Sequence, residues 1–173
     1  MLDTNRINEA ESNVKSYLRD GLLKRTAPDM EVIKILLRNA NESLLVAEGV
    51  QSLSELWVIV CSYYAMFYYA NAVLIKHGYK VCEKITHKVT SDAMIAYIRG
   101  KLRDTLIEEY EETKEEALNL AGIRADSLIE SFELERKKRG PIQYRTMELE
   151  KEFKAKTSLQ RAKEFTREME KLL

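Results

Sequence analysis

The chain has 173 residues, enough for one core that buries roughly 70% of the unfolded chain's surface, and its 28 Lys+Arg and 28 Asp+Glu cancel. That balance excludes a globally basic nucleic-acid coat protein and an acidic solvating tail, so any phosphate recognition must come from a local patch. Six glycines and two prolines are under half of the usual ~12%, too few for the turn every ~10 residues that sandwiches and barrels need, whereas 45% hydrophobic with 32% charged residues suits amphipathic helices.

Ile7, Ala10, Val14, Leu18 and Leu22 recur at helical spacing and predict a first helix, ended by Gly21 and the Thr26-Ala27-Pro28 stretch. Pro28 suits the opening turn of a second helix, with Ile33, Leu37, Ala40, Leu44 and Ala47 on one face and a stop near Gly49. Ser52-Leu53-Ser54-Glu55 fits a capping box, with the Ser52 hydroxyl and the Glu55 carboxylate satisfying each other's amides.

The segment that follows, Leu56 to Ile75, is twenty residues whose only strongly polar members are Ser62 and Asn71. It has the length of a bilayer span. Its tyrosines, Tyr63, Tyr64, Tyr68 and Tyr69, fall mid-segment rather than at membrane interfaces, and the expectation is a helix buried on all sides in a bundle. It closes at Lys76-His77 with Gly78 as C-cap.

Tyr79 to Val89 reads as a loop. Thr90 or Ser91 caps a fourth helix with Met94, Ile98, Leu102, Leu106 and Tyr110 at steps of four, running through the acidic stretch Glu108–Glu116 toward Gly122. That stretch is expected to be a solvated face. Arg124 to about Lys138 is a fifth helix, Gly140-Pro141 a break, and Tyr144 or Thr146 to Leu173 the last helix, with Leu159, Ala162, Phe165, Met169 and Leu172 inward. The fold class is therefore all-α: a single up-and-down bundle of about five to six helices over residues 1–173, with 1–25 as an N-terminal helix or extension.

Chemistry is sparse. The histidines are His77 and His87, there is no Glu-x-x-His pair for a di-iron site, and no Gly-rich phosphate loop or nucleophile elbow. Cys61 and Cys82 make neither a disulfide framework nor a zinc site, and Cys61 is expected to be a small buried hydrophobe. The reading is no metal and no cofactor. The polar start, Met1 to Arg6, shows no secretory signal, and a reducing, cytoplasmic setting fits.

One feature is chemically pointed. Arg136-Lys137-Lys138-Arg139-Gly140-Pro141-Ile142-Gln143-Tyr144-Arg145 places five cations in ten residues. Guanidinium forks bind phosphates bidentately, so Arg136, Lys137, Lys138, Arg139 and Arg145 are the candidate phosphate ligands. Cations near a helix end also favour its negative dipole end without any ligand.

Tyr63-Tyr64-Ala65-Met66-Phe67-Tyr68-Tyr69-Ala70-Asn71-Ala72-Val73-Leu74, followed by Gly78 and Thr86-His87, resembles the central helix of HEPN (higher eukaryote and prokaryote nucleotide-binding) domains. Ala162-Lys163-Glu164-Phe165 near the end is similar to the family's closing Ala-x-x-Phe, so the resemblance covers about residues 30–173. It implies a helical bundle that dimerises, often encoded with a small nucleotidyltransferase in toxin–antitoxin modules, and in many members a metal-independent endoribonuclease. Ribonuclease members carry an arginine and a histidine with four to six residues between them. The arginine stabilises phosphorane charge and the imidazole moves protons.

Arg139 matches that arginine, but Tyr144 (or, counted from Arg136, Gln143) stands where the histidine belongs. A tyrosine with an ordinary pKa near 10 is a poor general base at neutral pH. The resemblance thus implies Arg139 and Tyr144 as the catalytic pair of a degenerate ribonuclease, or Tyr144 as the acceptor of nucleotides added by a partner. The favoured expectation is a nucleotide- or RNA-binding or partner-interaction module, a likeness of the homodimeric family members paired with a nucleotidyltransferase; the alternative is the endoribonuclease.

Overall fold

A computed structural model describes residues 2–82, 84–120 and 141–173, with backbone alone at 104 and 141–151. The chain is an all-α bundle, with six α-helices and one two-stranded ribbon among the described residues. The helices are α1 (Thr4–Arg19), α2 (Met30–Gly49), α3 (Glu55–Lys76), α4 (Thr86–Ala93), α5 (Asp104–Leu120) and α6 (Pro141–Glu170). The ribbon pairs β1 (Leu23–Arg25) with β2 (Tyr79–Val81), antiparallel.

α3 is the axis. It packs chiefly on α2, then on α6 and α5, and Ile59, Tyr63, Met66, Ala70, Val73 and Leu74 are sealed from solvent. It is the one helix among the described residues long and apolar enough to cross a membrane, and that apolar stretch is 72% buried inside the bundle. Each large side chain so buried stabilises by about 1.5–3 kcal/mol, which is why this helix needs no polar face. Small residues, Ala40 and Ala47 on α2 with Ala65, Ala70 and Ala72 on α3, are fully buried and let the backbones approach. Tyr110 of α5 stacks on Phe165 of α6 at 5.4 Å between ring centroids, tying the last two helices across the core.

The helix ends correct several sequence expectations. Asp29 caps α2, accepting from the Glu31 and Val32 amides, which leaves Pro28 outside the helix rather than in its opening turn. Ser54, not Ser52, caps α3 through the Trp57 amide, since Ser52 lies in the turn before it. The last helix, α6, opens at Pro141 rather than at the expected Tyr144 or Thr146, because a residue without an N–H costs nothing where that N–H has no partner. The fifth helix expected at Arg124–Lys138 lies outside the described residues.

Two corrections matter for function. The loop expected over Tyr79–Val89 contains β2 and the first turn of α4. Three-residue strands are too short to show a period of two, and this ribbon is fixed by its ends: the Cys82 amide donates to the Leu22 carbonyl at 2.9 Å and the Thr26 amide to the Gly78 carbonyl at 3.0 Å. Gly78, at φ +89, makes the turn from α3 into β2. The single helix expected through Met94 and Tyr110 is in fact α4, a π turn (Met94–Ile98), a 3-10 turn (Arg99–Lys101) and α5. Met94, Ile98, Leu106 and Tyr110 are all buried across the break, so the apolar stripe survives while the axis changes direction at the extended Leu102.

Candidate functional site

Three helices bring polar stripes to one place. α1 carries Arg6, Asn13 and Tyr17 on one face, α4 carries His87, Ser91 and Asp92, and α5 carries Glu111 and Lys114. At the centre is Asp92, wholly buried: Arg6 Nη1 lies 2.6 Å from one carboxylate oxygen, and the Tyr17 hydroxyl (2.8 Å) and Asn13 amide (3.0 Å) donate to the other. Arg6 Nη2 also pairs with Glu111 at 3.3 Å and donates to Ser91 Oγ. Ser91 donates to Glu111, and Lys114 Nζ reaches both, at 3.1 and 3.0 Å.

Burial works against the Arg6 cation, but the hydrogen bond and charge of Asp92, with Glu111 behind, override it and raise its pKa. Burial, then the hydrogen bond to Asp92, pushes the Tyr17 hydroxyl up, so it remains a donor.

Beside this network an open cleft of about 390 Å³ is lined by Arg6, Glu9, Ile85, His87, Lys88, Lys114, Glu115 and Leu118. Ile85 at its rim holds the left-handed conformation, φ 44 and ψ 38, where α4 begins without a side-chain cap. That is a costly place for a β-branched residue. His87 follows two residues on. Its Nδ1 is 2.6 Å from the Tyr63 hydroxyl, and its ring packs on Phe67, Tyr63 and Tyr64 at 4.7, 5.5 and 6.0 Å.

Burial and then the charge of Lys114 lower the His87 pKa, so the imidazole is neutral at pH 7. Burial raises the Tyr63 pKa, so its proton stays on. Nε2 is left as the nitrogen without a hydrogen bond among the described residues. Chemically, the cleft holds a neutral proton acceptor or donor next to a buried ammonium.

The sequence-read site stands differently. Arg136, Lys137, Lys138 and Arg139 lie outside the described residues. Tyr144 and Arg145 fall in the opening turns of α6. The acidic stretch is not simply a solvated face: Glu111 pairs inward, Glu112 pairs with Arg161 of α6, and Glu116 accepts from Ser158. Cys61 is half-buried rather than buried, its thiol pKa raised by what burial it has.

Sequence reasoning missed Arg6, Asp92, Glu111 and Lys114 as one cluster. The available signal was Asp92 itself, a lone carboxylate in the stretch Val89 to Ile98 that is otherwise apolar or hydroxylic; a buried carboxylate requires a cation or several donors.

The fold thus defines a helical-bundle protein with a buried ionic cluster beside a histidine-bearing cleft. No family model, no curated protein and no solved structure matches the chain.

Proposed function

We propose that the chain is a nucleotide- or RNA-binding module resembling HEPN domains, acting in the cytoplasm as a homodimer beside a nucleotidyltransferase partner. Arg136, Lys137, Lys138, Arg139 and Arg145 hold phosphates in this reading, and Tyr144 is the acceptor for a transferred nucleotide. The observation that supports it is the contact between Tyr63 and His87. These residues come from the two separate pieces of the resemblance, the tyrosine-rich helix and the Thr86-His87 pair, and they pack as one aromatic unit. Exposed Leu45, Val46, Leu53 and Trp57 around the α2–α3 turn offer apolar surface for a second protein.

A metal-independent endoribonuclease is the second reading, and the neutral His87 in its cleft is what favours it. Arg139 then carries the phosphorane charge, and His87 replaces the missing motif histidine as proton carrier. Metal-free incubation with a labelled RNA panel separates the two. The module binds RNA without cutting, and Arg139→Ala weakens the binding. Cleavage that disappears in both Arg139→Ala and His87→Gln overturns the module in favour of the enzyme.

A further inference from the structure

The cations of the histidine cleft are mostly spent: Arg6 and Lys114 face Asp92 and Glu111. Uncommitted positive charge sits elsewhere, on the β1–β2 ribbon. The register sets Lys24 directly opposite Lys80, both exposed. Like charges opposed on an antiparallel ladder destabilise it, and a carboxylate at either position would relieve the repulsion.

Lys84 follows β2, where the Cys82–Leu22 hydrogen bond holds the chain against the Gly21–Leu22 turn. Gly21 turns the chain at φ +75, and Lys24 Cε lies over that turn, 4.0 Å from the position a Cβ would take. Together Asp20, Gly21, Leu22, Lys24, Lys80, Val81, Cys82 and Lys84 enclose an open hollow of about 540 Å³, within the ~300–1,000 Å³ range of ligand sites. Among the described residues its one lining carboxylate is Asp20, engaged by Arg19 at 3.0 Å. None of the three lysines has a carboxylate partner among the described residues. On the ribbon face away from Lys24 and Lys80, Leu23 anchors the ribbon in the core and Tyr79 stacks on Tyr97 at 4.0 Å, so the lysines stand on a fixed frame.

We propose that this hollow docks a run of phosphates, with Lys24, Lys80 and Lys84 supplying the charge. None of its residues belongs to the Arg136–Arg145 cluster, and the inference rests on the proposed function only where the phosphates are those of RNA. The full chain is titrated with labelled single-stranded RNA across a range of KCl concentrations, and separately with inorganic tripolyphosphate by calorimetry. Wild type is compared with Lys24→Gln/Lys80→Gln/Lys84→Gln and with Arg136→Gln/Arg139→Gln. Each phosphate contact on a single strand contributes a slope of about −0.7 in log K against log salt.

The expected result is a slope shallower by about 2 in the lysine variant, weaker tripolyphosphate binding, and a melting temperature no lower than wild type. The last point separates lost binding from lost folding, because the variant removes a repulsion; each lysine replaced singly provides the second check. Tripolyphosphate held by the lysines with no RNA bound supports the hollow and overturns the RNA reading. RNA binding lost in the arginine variant and unchanged in the lysine variant keeps the RNA reading and overturns the hollow. Neither ligand bound by wild type also overturns it, leaving the lysines as guards of exposed strand edges.

Discussion

Asp92→Asn is the sharpest perturbation of the ionic cluster. Asparagine keeps the shape but turns one oxygen into an NH₂, which then faces either the Arg6 guanidinium or the donors Asn13 and Tyr17, according to which oxygen it replaces. Removing one partner of a fully buried pair costs about 3–5 kcal/mol. Arg6 retains 24% side-chain exposure and Glu111 at 3.3 Å, which brings the expectation to about 2–3 kcal/mol. For a domain of this size each kcal/mol moves the melting temperature by about 2–4 °C, so the drop should be about 4–12 °C. Urea and thermal unfolding measure it, and a double-mutant cycle with Arg6→Met isolates the pair, with a coupling of about 1–3 kcal/mol. A variant within about 0.5 kcal/mol of wild type, or zero coupling, would refute the reasoning and with it the docking of α1 on α4.

Tyr63→Phe leaves the Nδ1 of His87 without its partner and should cost about 1–3 kcal/mol in urea unfolding at pH 7.5, with the helical circular-dichroism signal unchanged. Because the native His87 pKa is lowered, the unfolded chain binds its proton first. The His87 contribution is present above the unfolded pKa near 6.5 and is lost as pH falls through the native pKa; His87→Gln should flatten that part of the stability–pH curve. Two glycines should respond oppositely to alanine, as read by melting temperature. Gly78→Ala, at φ +89, loses about 1–2 kcal/mol, whereas Gly49→Ala, at the last residue of α2 with open space around it, gains about 0.4–1 kcal/mol.

The bundle and its axis were legible because burial all round leaves a long unbroken apolar run, and Leu56–Ile75 has one. Faces with a single buried stripe were legible too: Ala10 and Val14, Ile33 and Ala40, Leu159, Ala162 and Phe165 are all buried as their spacing requires. The break between α4 and α5 was hidden because Met94, Ile98, Leu106 and Tyr110 keep one apolar register through the π turn. The ribbon was hidden because its three-residue strands are specified by neighbours distant in sequence. The cluster of Arg6, Asp92 and Glu111 joins residues up to 105 positions apart, and no local pattern encodes such a meeting. His87 was visible as half of a motif, but its partner Tyr63, 24 residues away, emerged only when α3 and α4 were placed side by side.

The proposed function is that the protein holds RNA or nucleotide phosphates without cutting them. The most direct test incubates end-labelled RNA with wild type and Arg139→Ala in chelator, scoring binding and chain length in the same samples. The account predicts intact RNA in both, with binding weaker in the variant. RNA shortened by wild type and spared by Arg139→Ala would contradict it and make the chain a ribonuclease.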